Sequence, residues 1–478
     1  MYILGVISFL INFPWRFINC CKKLLCNLSE WWESHSHGQP SLELAEIFNW
    51  RAPMNRPVKG CLMTETTLRS ELVRERHATS LCDRLSRRFC RLEATELMAA
   101  ARRQTGLEDF GEPPLEPALS LLSNSLEQQA DLHPLGRFLM RMHLSGLLSA
   151  RLRLMDYWRG RPAAEASKQL ERPVFITGMP RSGSTFLHEL LAQDPENRAP
   201  RVWEVMFPVP LQQRPRQPDP RISKAAVCLW WFRRLAPQAD AVFPMRANTP
   251  HECVAIQSHT FLSEEFISTC RIPAYESFLR QADLRPAYAW ERRFLQHLQS
   301  DSPSRRWVLK SPDHVYGLEA LFSTFPDALI IQTHRNPLDV LRSSCHLTEV
   351  LHGLYARPRS GGALAARESQ VLAASLERFI SFRDAHPELA GRFIDLTYEE
   401  ITAQPLDCIR RIYEQFGFPL RDAAEKRMQQ LTRERARYRN GRAPAAPSEM
   451  CPATLAQTSA FERYCSRFKL DWRQARTQ

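Results

Sequence analysis

Residues 173–185 read PVFITGMPRSGST. Val174, Phe175, Ile176 and Thr177 are β-branched or aromatic and are ended by Gly178, the pattern of a short buried strand. Ser184 to Gln193 then reads as a helix, with Leu187, Leu190 and Leu191 on one side. Between them lie Gly178, Gly183, Ser184 and Thr185 in a G-x-x-x-x-G-x-T frame. A loop entering a helix N-terminus offers several free N–H donors and roughly half a positive charge. Gly183 lets the backbone approach an anion closely. The lysine that precedes Ser/Thr in nucleoside-triphosphate loops is missing, and Ser184 stands there. That lysine reaches the terminal phosphates, so its absence disfavours kinase or ATPase chemistry. Arg181, earlier in the loop, supplies a fixed cation with a bidentate fork instead.

Three further strands follow: WVLK (307–310), ALIIQTH (328–334) and RFIDLTY (392–398). Each precedes a helical pattern, near 314–324, from about 337, and near 406–417. Strands alternating with helices imply a parallel, doubly wound sheet, and ligands in such sheets bind beyond the carboxyl ends of the strands. Those ends are Gly178–Thr185, Lys310–His314, His334–Pro337 and Tyr398. Upstream, helical spacing runs from about 65 to 105 and again from Leu115 to Trp158, with breaks at Gly106 and Gly111–Pro114. The chain therefore reads as an α/β protein: a P-loop-like three-layer sandwich with a central parallel sheet, preceded by a helical N-terminal region. The divisions are 1–30, an apolar and basic segment; 31–170, linker and helical lead-in; and 171–478, the α/β domain.

With 478 residues, 44% hydrophobic and 24% charged, the chain resembles an ordinary globular protein, which excludes wholesale disorder, collagen and a multi-span membrane protein. Its net charge of +12 fits nucleic acid, an anionic membrane surface or an anionic small molecule. No aromatic–basic interleaving or helix-turn-helix signature supports a nucleic-acid partner. Only eight of the basic residues are lysines, which draws attention to Lys310 at a strand end. Thirteen cysteines without a CxxC pair read as reduced thiols of a cytoplasmic protein. Tyr2–Trp15, YILGVISFLINFPW, falls short of the ~20 apolar residues of a spanning helix. With Arg16, Lys22 and Lys23 behind it, it reads either as a peripheral anchor at the inner face of a membrane or as a segment docked on the protein body.

At PRSGSTFLHELLAQDP (180–195) the chain resembles the 5′-phosphosulfate loop of sulfotransferases that use 3′-phosphoadenosine 5′-phosphosulfate (PAPS). LKSPDH (309–314) and FPDALIIQTHRNPLDVLRSS (325–344) are similar to that superfamily's 3′-phosphate region. The lead-in LHPLGRFLMRMHLSGLLSARL (132–152) resembles a bacterial-type branch. The resemblance implies that Arg181, Ser182, Gly183, Ser184 and Thr185 hold the phosphosulfate, with Arg181 stabilising the leaving phosphate. It implies that Arg335 and Ser343 hold the 3′-phosphate, and that Phe186 and Tyr398 lie near adenine. A core helix position is the other reading of Phe186, and an ion pair with Asp339 that of Arg335.

Cytosolic family members place a catalytic histidine two residues after the strand-end lysine. Here Pro312 stands at that position and His314 two residues further on. In the branch with an arginine loop, such as tyrosylprotein sulfotransferases, a glutamate some twenty residues after the arginine is the base. Glu204 matches that place; His314, Glu252 and His251 compete with it, and a salt bridge to Arg198 or Arg201 is its other reading. Sulfuryl transfer, like phosphoryl transfer, is a matter of positioning and charge stabilisation. It calls for no metal, in keeping with the lack of a ligand cluster in the sequence. Residues 205–306, inserted between the cofactor motifs, are expected to line the acceptor site. Trp230, Trp231, Phe232, Phe243, Phe261, Phe266 and Phe278 suit an apolar, lipid-like hydroxyl acceptor, although core positions would explain them too. The alternatives are a P-loop nucleotide kinase or NTPase and a non-catalytic nucleotide-binding protein. The basic stretch 421–442 reads as a solvated helix; the other reading is that its RNGR (439–442) substitutes for the family's C-terminal basic–glycine motif.

Overall fold

The computed structural model of the chain describes residues 81–161, 169–210, 218–299, 305–357, 361–439 and 458–470. The segment 1–30, the linker after it, the helical pattern before Leu81 and residues 440–442 lie outside these. Of the described residues, Leu81–Arg91 with His133–Phe138 belong to one compact unit, and Leu92–Leu132 with those from Leu139 onward to another. The sheet and the candidate site lie in the second.

Five parallel strands make the sheet: β1 (Val174–Gly178), β2 (Asn197–Arg198), β3 (Arg306–Lys310), β4 (Leu329–His334) and β5 (Phe393–Thr397). Their order is β2-β3-β1-β4-β5, so β1 is central, flanked by β3 and β4. Parallel strands covered on both faces carry near-continuous apolar runs, and every residue of β4 is buried. Side chains alternate between faces. Val174, Ile176, Val308, Leu329, Ile331, Ile394 and Leu396 pack with the helices Ser184–Leu191 and Pro405–Phe416. Phe175, Trp307, Leu309, Ile330 and Phe393 pack on the other side with the helices Arg285–Gln299 and Leu318–Thr324 and with Phe379 and Phe382. The fold is therefore the three-layer α/β sandwich that the strand–helix alternation predicts.

The helical lead-in differs from its sequence reading in two ways. The helix expected over Leu115–Trp158 is two, Glu116–Gln128 and Pro134–Arg159. Pro134 opens the second, because a proline fits the first helical turn and pushes the residue before it out of helical geometry. The lead-in also shares its core with the insertion between the motifs: Leu97, Leu119, Leu126 and Leu148 pack with Phe261, Phe266, Tyr275 and Leu279. Phe261 and Phe266 are thus core residues rather than acceptor-site lining. The insertion itself is a series of helices, among them Val202–Met206, Pro220–Leu235, Cys253–Gln257 and Pro273–Gln281. The basic stretch after 421 is the helix Asp422–Arg439. Cys253, Cys270, Cys345 and Cys408 are free and buried, but Cys82 is disulfide-bonded, against the expectation of reduced thiols throughout. Among the described residues no helix is long and apolar enough to cross a membrane.

Gly178 closes β1 at φ +134°, where an added Cβ would lie 2.2 Å from the Thr333 carbonyl oxygen of β4. Gly178→Ala is expected to lower the unfolding free energy by about 1–3 kcal/mol or more, through overpacking against backbone. Gly353, with open space around its Cβ position, is the control: Gly353→Ala should shift it by less than ~1 kcal/mol. Urea unfolding of both variants measures the difference.

Candidate active site

The loop after β1 is pinned from below. Ser182 is fully buried; its hydroxyl bonds to the Met179 carbonyl and shares a 2.6 Å hydrogen bond with Thr333 Oγ1, which reaches the Thr177 carbonyl at 3.2 Å. Two residues of the loop, Arg181 (φ +63°) and Gly183 (φ +88°), have left-handed backbone. Gly183 caps the helix Ser184–Leu191, and no side chain caps its first N–H groups. Those donors have no intrahelical acceptor, so the loop can hold an anion.

β3 and β4 bring cations to the two sides of this loop. Lys310 ends β3, opposite Ile176 of β1, and is 3% exposed. Its Nζ donates to Thr185 Oγ1 at 3.2 Å and forms an ion pair with Glu252 Oε1. Arg335 follows β4; its Nη1 donates to the Arg181 carbonyl at 2.8 Å, and its guanidinium lies 4.0 Å from the Tyr398 ring centroid. Arg181 Nε donates to Ser343 Oγ at 2.9 Å. Arg181, Arg335, Ser343 and Tyr398 therefore meet in one cluster, although they come from three separate segments. Burial, and then the neighbouring Arg335, pulls the Arg181 guanidinium below its usual range. Two like charges held this close favour an anion between them. Arg335 Nε is buried without a hydrogen-bond partner, an orphan donor of the kind a phosphate would satisfy. Asp339 pairs with Arg342 rather than Arg335. Phe186 packs against the core cluster beneath the loop helix.

Glu204 is held as the sequence's bland alternative foresaw. Its Oε1 accepts from Arg198 Nη2 and its Oε2 from the Arg201 N–H, each at 2.9 Å, the second closing a capping box on Val202–Met206. The segment carrying it runs beside the one that carries Glu252: the His251 N–H donates to the Pro200 carbonyl and the Val202 N–H to the Thr249 carbonyl. His314 is a core residue, 1% exposed. Its Nδ1 lies 2.8 Å from the Tyr288 hydroxyl and its ring is edge-on to Phe175. Burial, and then Lys310, pushes its pKa down to about 3, so it stays neutral. His251 is also lowered by burial.

Strand-end residues were legible from the sequence. The pairing of Glu252 with Lys310 was not, since 58 positions separate the two. Nor was the buried group behind it, where Cys253, Glu291 and His314 offer ligand-type atoms within 4.8 Å of one another. Burial raises the Cys253 thiol and pushes the Glu291 carboxyl up to about 7.

Residues 173–422, just over half of the chain, match the Sulfotransferase family, and the chain belongs to that family. Its members use PAPS, and the loop, the twin guanidinium cluster and the orphan donor of Arg335 fit a nucleotide with anions at both ends. The chain is 26% identical over 290 residues to the omega-hydroxy-beta-dihydromenaquinone-9 sulfotransferase of Mycobacterium tuberculosis, covering 56% of this chain and 68% of that one. Sulfotransferase STF9 from Mycobacterium avium superposes with a TM-score of 0.68 at 26% identity, covering 80% of this chain and 97% of that one. STF1 from Mycobacterium tuberculosis gives 0.62 at 28%, covering 78% and 97%. The protein is an enzyme, a PAPS-dependent sulfotransferase.

Lys310 and Glu252 lie mostly out of water, with side chains 3% and 14% exposed. Lys310→Met strands the carboxylate and is expected to cost about 3–5 kcal/mol of stability. Adding Glu252→Gln should return most of that loss. A double-mutant cycle by urea denaturation reads both, and additive losses would show that the pair is uncoupled.

Proposed function

We propose that this sulfotransferase moves the sulfuryl group of PAPS to the hydroxyl of an apolar, lipid-like acceptor, with Glu252 as the base. One observation carries the base assignment. Lys310 touches Thr185 at the head of the loop helix and pairs with Glu252, so this carboxylate stands beside the loop. Glu204, by contrast, spends both oxygens on its own scaffold, and His314 is a neutral core ring.

In this reading the acceptor oxygen attacks sulfur in line with the bond to the 5′-phosphate. A new S–O bond forms as the old one breaks, and Glu252 takes the hydroxyl proton. The negative charge moves onto the departing phosphate, where the N–H groups of Ser184 and Thr185 and the Lys310 ammonium would receive it. Arg181, Ser343 and Arg335 would hold the 3′-phosphate end, and Tyr398 would lie near the adenine. Arg181 is therefore moved from the leaving phosphate, where the resemblance puts it, toward the other end of the nucleotide, because its Nε bonds to Ser343. The relative named for a menaquinone derivative supports an apolar hydroxyl acceptor. A cytoplasmic location, with residues 1–30 as a peripheral contact at the inner face of a membrane, would bring the enzyme to such a substrate.

Charge-assisted hydrogen bonds are worth about 1.5–3 kcal/mol each. Arg181→Ala and Arg335→Ala should therefore each weaken adenosine 3′,5′-bisphosphate binding by roughly 10- to 100-fold in titration calorimetry. Glu252→Gln should lower turnover by at least ~10²-fold with bisphosphate affinity near that of the wild type. Glu204→Gln should keep a base-dependent pH profile. Full turnover in the Glu252 variant would assign the proton to another group. Transfer of labelled sulfate from PAPS into whole-cell lipid extracts tests the acceptor class, and label confined to polar metabolites would overturn it.

A further inference from the structure

The Glu252–Lys310 pair joins side chains from two segments, so something must hold those segments in register. Glu252 is the residue before the helix Cys253–Gln257, and Lys310 ends β3. We propose that the helix Arg285–Gln299 is the platform that sets this pair, with Glu291 as its positioning residue. The proposal rests on the reading of Glu252 as the base.

Glu291 is fully buried, and its carboxyl holds the last residue of the short helix behind Glu252 and lies close to the first. Oε2 accepts from Gln257 Nε2 at 2.8 Å, and the carboxyl comes within 4.8 Å of the Cys253 sulfur. Cys253 and Gln257 are the first and last residues of that helix. Tyr288, one turn earlier on the same face of the platform, holds the other half. Its hydroxyl meets His314 Nδ1 at 2.8 Å, in the 3₁₀ segment Pro312–Tyr316 that begins two residues after Lys310. A buried carboxyl without a cation is costly, and an apolar side chain would fill the space at less expense. What the carboxyl adds is direction: it fixes the rotation of the helix whose first residue follows Glu252.

The test compares Glu291→Ala with Glu291→Gln in the full chain, beside Glu252→Gln. Glu291→Ala is expected to lower kcat by roughly 10- to 100-fold, as small misplacements of reacting groups do, with bisphosphate affinity within about twofold of the wild type. Glu291→Gln, whose amide oxygen still accepts from Gln257, should recover kcat to within about fivefold. A purely structural role would instead lower the unfolding midpoint and leave kcat per folded molecule unchanged. Wild-type kcat in Glu291→Ala, or parallel loss of kcat and bisphosphate binding, overturns the proposal. If the alanine variant does not fold, Gln257→Ala cuts the same hydrogen bond and should lower kcat in the same way; unchanged kcat there also overturns it. Should Glu252→Gln keep turnover, the base reading fails on its own. Should it lose turnover while Glu291→Ala keeps it, only the platform fails.

Discussion

The site depends on β1 being covered on both faces and paired along both edges. Burial on both faces leaves a strand only apolar side chains to carry, so its chemistry is displaced to the carboxyl end. Pairing on both edges brings the ends of β3 and β4 level with that point. Gly178 makes the close pairing with β4 sterically open, and the buried hydroxyls of Ser182 and Thr333 tie the loop to its neighbour. A helix N-terminus with no side-chain cap, standing at the end of the central strand, results from these backbone constraints before any charged side chain is considered.

The charges then divide between two sides. On the β3 side an ammonium is matched by a carboxylate, and the pair borders the loop. On the β4 side two guanidiniums approach each other beside a tyrosine ring, and the buried Nε of Arg335 has no partner. A matched pair is suited to moving a proton or steadying charge that develops during reaction. A mutually repelling pair is suited to holding charge already present on a ligand. In the proposed reading the two ends of the nucleotide would therefore meet different electrostatics. Neutral polar groups complete the surroundings: burial pushes His188 and His314 down to about 3, and the cation Lys310 adds to the effect in both. With these rings uncharged, the positive potential near the loop comes from the few cations at strand ends and not from titrating histidines.

Most of the fold was legible from periodicity. Strands β1, β3, β4 and β5 were visible as short apolar runs ended by glycine or polar residues, because burial on both faces forces such runs. β2 was not, since a two-residue edge strand, Asn197–Arg198, leaves no pattern. The break before Pro134 was marked in the sequence by the proline itself, but continuous leucine spacing on either side concealed it. Phe261 and Phe266 looked like ligand-lining aromatics because composition cannot tell which of two surfaces an aromatic ring covers. Glu204 looked the better base and Glu252 only a competitor, since a carboxylate's value as a base depends on what already occupies its lone pairs, which the sequence does not show.

The sequence by itself determined the layer architecture, the phosphate-type loop and the residues at each strand's carboxyl end. These follow from local rules: side-chain alternation, glycine at special backbone angles, and the short range over which a strand becomes a helix. Only the tertiary structure decided which carboxylate stands beside the loop, that Arg181 turns to Ser343, and that His314 is core. Those outcomes depend on contacts between segments tens to hundreds of residues apart, where the partner of each charge is set by packing and not by neighbours along the chain.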